Sequence, residues 1–357
     1  MPATIASFKI DYYQFLSPDG RLISDDVPPL ATDWDELRSL YRLMVTTRIF
    51  DKKAIALQRT GRMGTYASSL GQEAAHIAIG SAMRPEDCYA PTYREHGTQF
   101  CRGVTMTEAL TYWGGDERGC DFSGPRHDFP WCIPIATQCL HAAGAAMAYK
   151  LRGEKRVAVS QVGDGGSSKG DFLEAVNAAS AFHLPLVLVI INNQWAISVP
   201  RSKQNSATTL AQKGIAGGLP SIQVDGNDII ACRWAMDTAI KQAREGHGTT
   251  VIEMITYRMK DHTTADDARR YRDDEEVENA WKIEPIKRIR RYLKDQGVWN
   301  DKKELELLRQ ATEEVEAAVE QYFAVDEQNI ESMFDYLYEN IPAELEEQRA
   351  RALEELS

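Results

Sequence analysis

A glycine-rich segment that contains a carboxylate is the part of the sequence that points most directly to chemistry. It reads Val162-Gly-Asp-Gly-Gly-Ser-Ser-Lys-Gly-Asp171, and it follows a predicted strand and precedes a predicted helix. In a parallel sheet such a turn lies at the carboxyl edge, where ligands bind. Glycines let the backbone approach a phosphate, and a helix N-terminus adds a partial positive charge. The segment is therefore predicted to bind phosphate.

Two common phosphate loops do not fit this segment. A dinucleotide-binding fingerprint that starts at Gly163 needs a glycine where Ser168 stands. A P-loop that starts at Gly165 reaches Gly170, but it then needs a lysine where Asp171 stands. The segment instead places a carboxylate between its first two glycines.

A second polar turn, Asn192-Asn193-Gln194-Trp195, follows the next predicted strand, and 26 residues separate Gly-Asp-Gly from Asn-Asn. If the two strands belong to one parallel sheet, Asp164 and Asn193 converge at its carboxyl edge. A carboxylate, an amide oxygen and a backbone carbonyl are ligands that Mg²⁺ prefers, with diphosphate oxygens completing the shell. The alternative is a plain glycine turn with Asp164 as a helix cap and the asparagines in a loop. Either segment alone favours that alternative, but their joint spacing argues against it.

Strands and helices alternate through the middle of the chain, which predicts an α/β fold with a doubly wound parallel sheet. The predicted helices are 33–60, 137–150, 168–182 and 228–245, and the predicted strands are 156–162, 185–191, 222–224 and 249–256. Residues 61–132 are predicted to form loops and short helices over a surface. We expect three regions, which are an N-terminal extension with the first helix (1–45), the ligand-binding α/β domain (46–275) and a helical C-terminal region (276–357).

Composition argues against several classes of function. A formal net charge of −12 disfavours nucleic acid, whose phosphates would be repelled. The six cysteines have no spacing typical of a zinc site or a disulfide framework. Residues 1–22 lack the features of a signal or transit peptide, and the longest apolar run, 184–191, is too short to span a bilayer. We expect a cytoplasmic protein that binds neither nucleic acid nor membranes.

The two turns and their surroundings resemble the α subunit of the thiamine-diphosphate-dependent 2-oxo acid dehydrogenases, the enzymes that act on pyruvate or branched-chain 2-oxo acids. The resemblance extends over roughly residues 35–345 and includes several further motifs in the same order. They are Gly71-Gln-Glu-Ala74, Tyr93-Arg-Glu-His-Gly97, Val224-Asp-Gly-Asn227 and Tyr257-Arg-Met-Lys-Asp-His262. So many ordered motifs make chance agreement improbable, and the fold expected is the thiamine-diphosphate-binding one.

The resemblance implies a set of site residues. Those assigned to cofactor binding are Tyr93, Arg94, Ile133, Ile135, Gly163, Asp164, Gly165, Gly166, Asn193, Trp195 and His262. Mg²⁺ would be bound by Asp164, Asn193 and the carbonyl of Trp195. His262 would also be catalytic. The alternatives are an exposed surface arginine at 94, core packing for the isoleucines, and a structural or solvated histidine.

The resemblance also implies partners. A β subunit would supply the glutamate that activates the cofactor, in an α2β2 assembly, so the chain alone should be inactive. The assembly would decarboxylate a 2-oxo acid and pass the acyl group to the lipoyl group of a dihydrolipoamide acyltransferase. The region 112–118 favours pyruvate, and so the dihydrolipoamide acetyltransferase, over a branched-chain substrate. Rival hypotheses are a magnesium-dependent nucleotide-binding protein, disfavoured by the missing P-loop lysine, and a non-catalytic scaffold.

Overall fold

Six parallel strands form the central sheet of the computed structural model, which describes residues 2–335 and 337–356, the last without its side chain. The described residues contain eight strands in all, which are β1 (Tyr12–Tyr13), β2 (Cys88–Ala90), β3 (Ala158–Gly163), β4 (Leu186–Asn192), β5 (Trp195–Ala196), β6 (Val199–Pro200), β7 (Ser221–Asp225) and β8 (Thr250–Ile255). Their order in the sheet is β1-β7-β8-β4-β3-β2, while β5 and β6 form a separate antiparallel pair. The predicted doubly wound α/β fold is confirmed.

The centre of the sheet is formed by β3, β4 and β8. Every residue of β4 is buried, because helices cover both faces of the sheet at this point. A strand of this kind is a continuous run of apolar, mostly β-branched residues, which is why 185–191 could be predicted from the sequence. The prediction for residues 61–132 was incomplete, because β2 lies within them and pairs with β3.

The helices lie on both faces of the sheet and beyond its edges. They are α1 (Trp34–Arg59), α2 (Glu73–Ala82), α3 (His96–Arg102), α4 (Met106–Trp113), α5 (Thr137–Arg152), α6 (Gly170–Ala181), α7 (Arg201–Gln204), α8 (Gln212–Ala216), α9 (Ile229–Arg244), α10 (Asp274–Lys282), α11 (Pro285–Asp295), α12 (Asp301–Phe323), α13 (Ser332–Asp335) and α14 (Ala343–Leu356). Asp33 caps α1, and its side chain accepts from the Glu36 N–H at 3.1 Å.

A hydrophobic core lies against each face of the sheet. One contains residues of α1, α2, α9 and α11 with one face of the sheet, and the other contains residues of α5 and α6 with the opposite face. Alanines let α5 approach the sheet closely, and Ala142 and Ala146 are fully buried. In the described residues no helix is long and apolar enough to cross a membrane.

The C-terminal helices pack against the start of the chain, where α12 lies along α1 and α4. The boundary predicted at residues 45 and 46 falls inside α1, so the division into three regions stays a prediction. Most side chains of α14 are exposed, in agreement with a solvated charged helix.

Candidate functional site

The glycine-rich turn and the Asn-Asn turn leave the sheet side by side. Gly163, the last residue of β3, pairs with Ile191 of β4. The backbone N–H of Asp164 donates to the Ile191 carbonyl at 3.2 Å, and the N–H of Asn193 donates to the same oxygen at 3.1 Å. The structure therefore brings Asp164 and Asn193 together at the carboxyl edge of the sheet.

The Asp164 carboxyl group is only 1% exposed, and its Oδ2 has no hydrogen-bond partner. Burial raises its pKa to about 6, although backbone N–H groups and the charge of Arg258 act in the opposite direction. A buried oxygen without a partner is costly, and a divalent cation would satisfy it. The Asp164 side chain is therefore suited to bind a metal ion.

Asn193 and Trp195 present further oxygens in the second turn. The Asn193 amide nitrogen donates to Gln72 Oε1 at 3.3 Å, and its Oδ1 accepts from the Trp195 N–H at 3.3 Å. The Trp195 carbonyl accepts from Arg258 at 3.2 Å and keeps a second lone pair. The described residues contain no group of three or more His, Cys, Asp or Glu side chains placed to hold a metal. The predicted site has one carboxylate and depends on amide and carbonyl oxygens instead.

The three glycines of the first turn differ in what surrounds them. A Cβ atom at Gly165 would lie 2.6 Å from Cβ of Ala196, and one at Gly166 would lie 2.5 Å from Val162 and 2.8 Å from Ile135. A Cβ at Gly163 would meet nothing within 4 Å. Packing therefore requires glycine at 165 and 166 independently of any diphosphate, and open space remains at Gly163.

Arg94 is 6% exposed, so the alternative of an exposed surface arginine is wrong. Its Nη1 donates to the Ser68 carbonyl at 2.6 Å, and its Nη2 donates to the His262 carbonyl at 2.8 Å. These acceptors carry no net charge, so the guanidinium keeps its positive charge available to an anion. The ring of Tyr93 lies 5.6 Å from the Arg94 guanidinium and edge-on to His262.

Two guanidinium groups, those of Arg94 and Arg258, face the ring of His262. Its Nδ1 lies 3.2 Å from Arg94 and 3.4 Å from Arg258, and since both arginines can only donate, Nδ1 must accept. The ring proton is then on Nε2, an assignment that follows from the hydrogen bonds. Burial, together with the charges of Arg94 and Arg258, lowers the pKa of His262 to about 3, and Asp266 opposes them. His262 can thus act as a hydrogen-bond donor through Nε2.

Arg258 is a site residue that sequence reasoning missed, although it lies inside the Tyr257-to-His262 motif. It is fully buried and donates to the carbonyls of Trp195 and Ile197 and to the Tyr271 hydroxyl at 3.0 Å. Burial and the charge of Arg94 lower its pKa to about 10. Arg258 connects the Asn-Asn turn to the loop that carries His262. The signal in the sequence was an arginine that follows a buried strand, three residues beyond the end of β8.

The two isoleucines differ in environment. Ile133 is 50% exposed, so core packing does not account for it. Ile135 is partly buried, packs against the core on the α5 side, and reaches Gly166. Only Ile135 is therefore shown in contact with the glycine-rich turn.

A cavity of about 930 Å³ opens on part of the same sheet edge. Its lining includes Asn192 and Trp195 but neither Asp164 nor His262. Glu253 lines the cavity, and its carboxylate accepts four hydrogen bonds from side-chain and backbone nitrogens. The cavity is not the predicted metal site, and the sequence did not indicate it.

Comparison with known proteins gives consistent results. The family model described as "Dehydrogenase E1 component" matches residues 41–331. A protein of Staphylococcus epidermidis named "Pyruvate dehydrogenase E1 component subunit alpha" is 42% identical over 341 residues, which cover 95% of this chain and 92% of that protein. A protein of the same name from Staphylococcus aureus is 41% identical with the same coverage.

Proposed function

We infer the function from the fact that this chain belongs to the dehydrogenase E1 component family. We propose that it is the α subunit of a pyruvate dehydrogenase. With a β subunit it carries out the thiamine-diphosphate-dependent oxidative decarboxylation of pyruvate. The acetyl group passes to the lipoyl group of a dihydrolipoamide acetyltransferase. The names and the near-complete coverage of the two staphylococcal relatives support pyruvate over a branched-chain 2-oxo acid.

The single observation that carries the proposed metal site is the unpartnered oxygen of Asp164 beside the Asn193 turn. We assign Mg²⁺ to Asp164 Oδ2, Asn193 Oδ1 and the Trp195 carbonyl. All three donors are hard oxygens, which suits Mg²⁺ bound to a diphosphate. The pKa of about 6 at Asp164 means that the carboxyl group is largely ionised at neutral pH, and a bound cation would favour that form further.

The diphosphate would be held by Arg94 and Tyr93, together with the open backbone at Gly163. Arg94 suits this role because it is buried, charged and bound only to uncharged acceptors. Ile133 and Ile135 would contact the aminopyrimidine, and the exposure of Ile133 leaves it free to do so. Gly165 and Gly166 would keep the turn close to the phosphates by allowing its tight packing.

Bound thiamine diphosphate would supply the nucleophile and the electron sink that decarboxylation of a 2-oxo acid requires. The chain's own catalytic contribution would come from His262. Its Nε2–H is a donor fixed in direction by the two arginines at Nδ1, and it can stabilise negative charge that develops near the cofactor. The neutral ring does not add a further charge to a site that already contains Arg94 and Arg258.

The partner follows from the family and from the architecture. The described chain folds around one parallel sheet, and we propose that a β subunit supplies the glutamate that activates the cofactor, in an α2β2 assembly. The chain expressed alone should then decarboxylate nothing.

An assay of the co-expressed pair tests this function. With thiamine diphosphate and Mg²⁺ present, we expect a higher kcat/KM for pyruvate than for 3-methyl-2-oxobutanoate. The reverse order would assign the chain to the branched-chain enzymes, and no decarboxylation of either would favour a non-catalytic scaffold. Calorimetric titration with thiamine diphosphate and with ATP separates the nucleotide-binding alternative, which requires ATP to bind and thiamine diphosphate not to bind.

A further inference from the structure

The Lys213 ammonium group lies against the glycine-rich turn, although Lys213 belongs to the separate short helix α8. Its Nζ donates to the Ser167 carbonyl at 2.6 Å, to the Ser167 hydroxyl at 2.8 Å and to the Ser168 hydroxyl at 3.0 Å. An ammonium group has three donors, and each has an oxygen acceptor here. None of the three acceptors is a carboxylate, so this lysine is not simply one half of an ion pair.

A second hydrogen bond connects Ser167, which Lys213 contacts, to the backbone of Asp164. Ser167 is fully buried, and its hydroxyl donates to the Asp164 carbonyl at 2.7 Å. Because Lys213 occupies the lone-pair side of that hydroxyl, the hydroxyl proton is directed towards Asp164. The ammonium group thus acts on the main chain of Asp164 through one serine, without touching its carboxylate.

Gln204, the last residue of α7, also binds the glycine-rich turn. Gln204 donates to the Ser168 hydroxyl at 2.6 Å and reaches the Gly165 carbonyl at 3.4 Å. The turn itself contains adjacent glycines, which lose more conformational freedom on ordering than other residues. External side chains are therefore needed to fix its path, and Lys213 provides the largest number of these bonds.

The environment of Lys213 makes this arrangement costly. The side chain is about half-buried, and burial lowers its pKa to about 8, with the charge of Arg201 acting in the same direction and Asp164 and Glu253 opposing it. A lysine used only for solubility would remain in water. Perturbed ionisable groups are concentrated at functional sites, and this one contacts the predicted diphosphate turn directly.

We propose that Lys213 is a positioning residue for the magnesium-diphosphate site, which it preorganises by holding the Gly163-to-Ser168 turn through Ser167 and Ser168. The inference rests on the proposed function, because that function identifies the ligand of the turn. The hydrogen bonds of Lys213 go to Ser167 and Ser168 and to none of the residues assigned to the cofactor or the metal. Its loss should therefore weaken cofactor binding while leaving the chemistry of the loaded enzyme intact.

The test compares Lys213→Met and Lys213→Arg with Lys203→Met, which removes an exposed lysine from the nearby helix α7. In the assembly with the β subunit, the Kd of thiamine diphosphate is measured at saturating Mg²⁺, together with kcat at saturating cofactor. We expect Lys213→Met to raise the Kd by about 10- to 100-fold, the range typical of lost supporting contacts, with kcat within about two-fold of wild type. Lys213→Arg should recover most of the affinity, and Lys203→Met should bind like wild type.

A purely structural lysine would lower the unfolding temperature without changing the Kd of the folded protein, and that result would overturn the inference. If Lys213→Met does not fold, Ser167→Ala removes the link to Asp164 and should raise the Kd by about ten-fold. An unchanged Kd in Ser167→Ala would also overturn the inference. Failure of the wild-type assembly to bind thiamine diphosphate would instead refute the proposed function.

Discussion

The backbone N–H groups of Asp164 and Asn193 donate to the same oxygen, the Ile191 carbonyl, at 3.2 and 3.1 Å. Both turns are therefore anchored to one backbone oxygen near the end of β4. Backbone bonds of the sheet hold their starting points in place, so the two side chains do not need a ligand to be brought near each other. The site is preorganised by the register of β3 and β4.

Replacing Asp164 with asparagine should remove metal-dependent cofactor binding but not the fold. The amide cannot supply the charge that a divalent cation requires, so we expect the affinity for Mg²⁺ and thiamine diphosphate to fall by at least about 100-fold. Since burial disfavours the charged carboxylate, the unfolding temperature of the metal-free protein should stay the same or rise. Calorimetric titration and thermal unfolding measure the two effects. Asp121→Asn, at an exposed aspartate, is the control, and wild-type affinity in Asp164→Asn would refute the ligand assignment.

His262→Asn should slow turnover far more than it affects folding. Asparagine can still accept from Arg94 and Arg258 through its amide oxygen, but it lacks the Nε2–H donor. Losing one donor to developing charge costs about 100-fold or more in kcat. Steady-state kinetics of the assembly at saturating cofactor, with thermal unfolding alongside, check this. Turnover at the wild-type rate would remove His262 from the active site.

Arg94→Lys should discriminate between thiamine diphosphate and thiamine. A lysine keeps the charge but cannot contact Ser68, His262 and a phosphate with one planar group. A charge-assisted hydrogen bond contributes about 1.5–3 kcal/mol, so the Kd of thiamine diphosphate should rise by about ten-fold or more. Thiamine, which has no diphosphate, should bind the variant and the wild type equally. A similar loss for both ligands would show that Arg94 supports the fold and not the diphosphate.

A buried histidine outside the site predicts an acid-dependent loss of stability. Both ring nitrogens of His76 are buried without partners, and burial lowers its pKa to about 3, with the nearby charges of His96 and Arg94 adding to the effect. From the ordinary pKa of 6.5 down to about 3, the unfolded chain binds a proton that the folded chain does not. As the pH falls through this window, His76 therefore lowers the free energy of unfolding, by up to about 1.4 kcal/mol per pH unit.

Denaturant unfolding of wild type and His76→Leu at pH 7.5 and 5.5 measures this contribution. The stability of the variant relative to wild type should increase at the lower pH, because leucine binds no proton. His247→Gln, at an exposed histidine, is the matched control. Equal pH dependence in His76→Leu and wild type would contradict the burial of a neutral ring.

The central sheet was predictable because its signals are local. The apolar run before Asn192 and the helical periodicity of 168–182 set β4 and α6 to within two residues. β2 was missed because it has only three residues and lies between Pro85 and Pro91, among polar residues that predict loops. No periodicity can be recognised over so short a segment.

The proximity of Asp164 and Asn193 could be predicted for a related reason. Consecutive parallel strands end at the same edge, so spacing along the chain translates into proximity. Arg258 and Lys213 could not be found in this way. Their contacts with Trp195 and Ser167 join residues 63 and 46 positions apart through side chains whose directions the sequence does not reveal.

The most direct test of the account is a crystal structure of the chain with its β subunit, thiamine diphosphate and Mn²⁺ in place of Mg²⁺, with the metal located by anomalous scattering. We predict one metal peak within about 2.0–2.3 Å of Asp164 Oδ2, Asn193 Oδ1 and the Trp195 carbonyl, with diphosphate oxygens completing an octahedral shell. A diphosphate-bound metal peak that contacts neither Asp164 nor Asn193 would contradict the account.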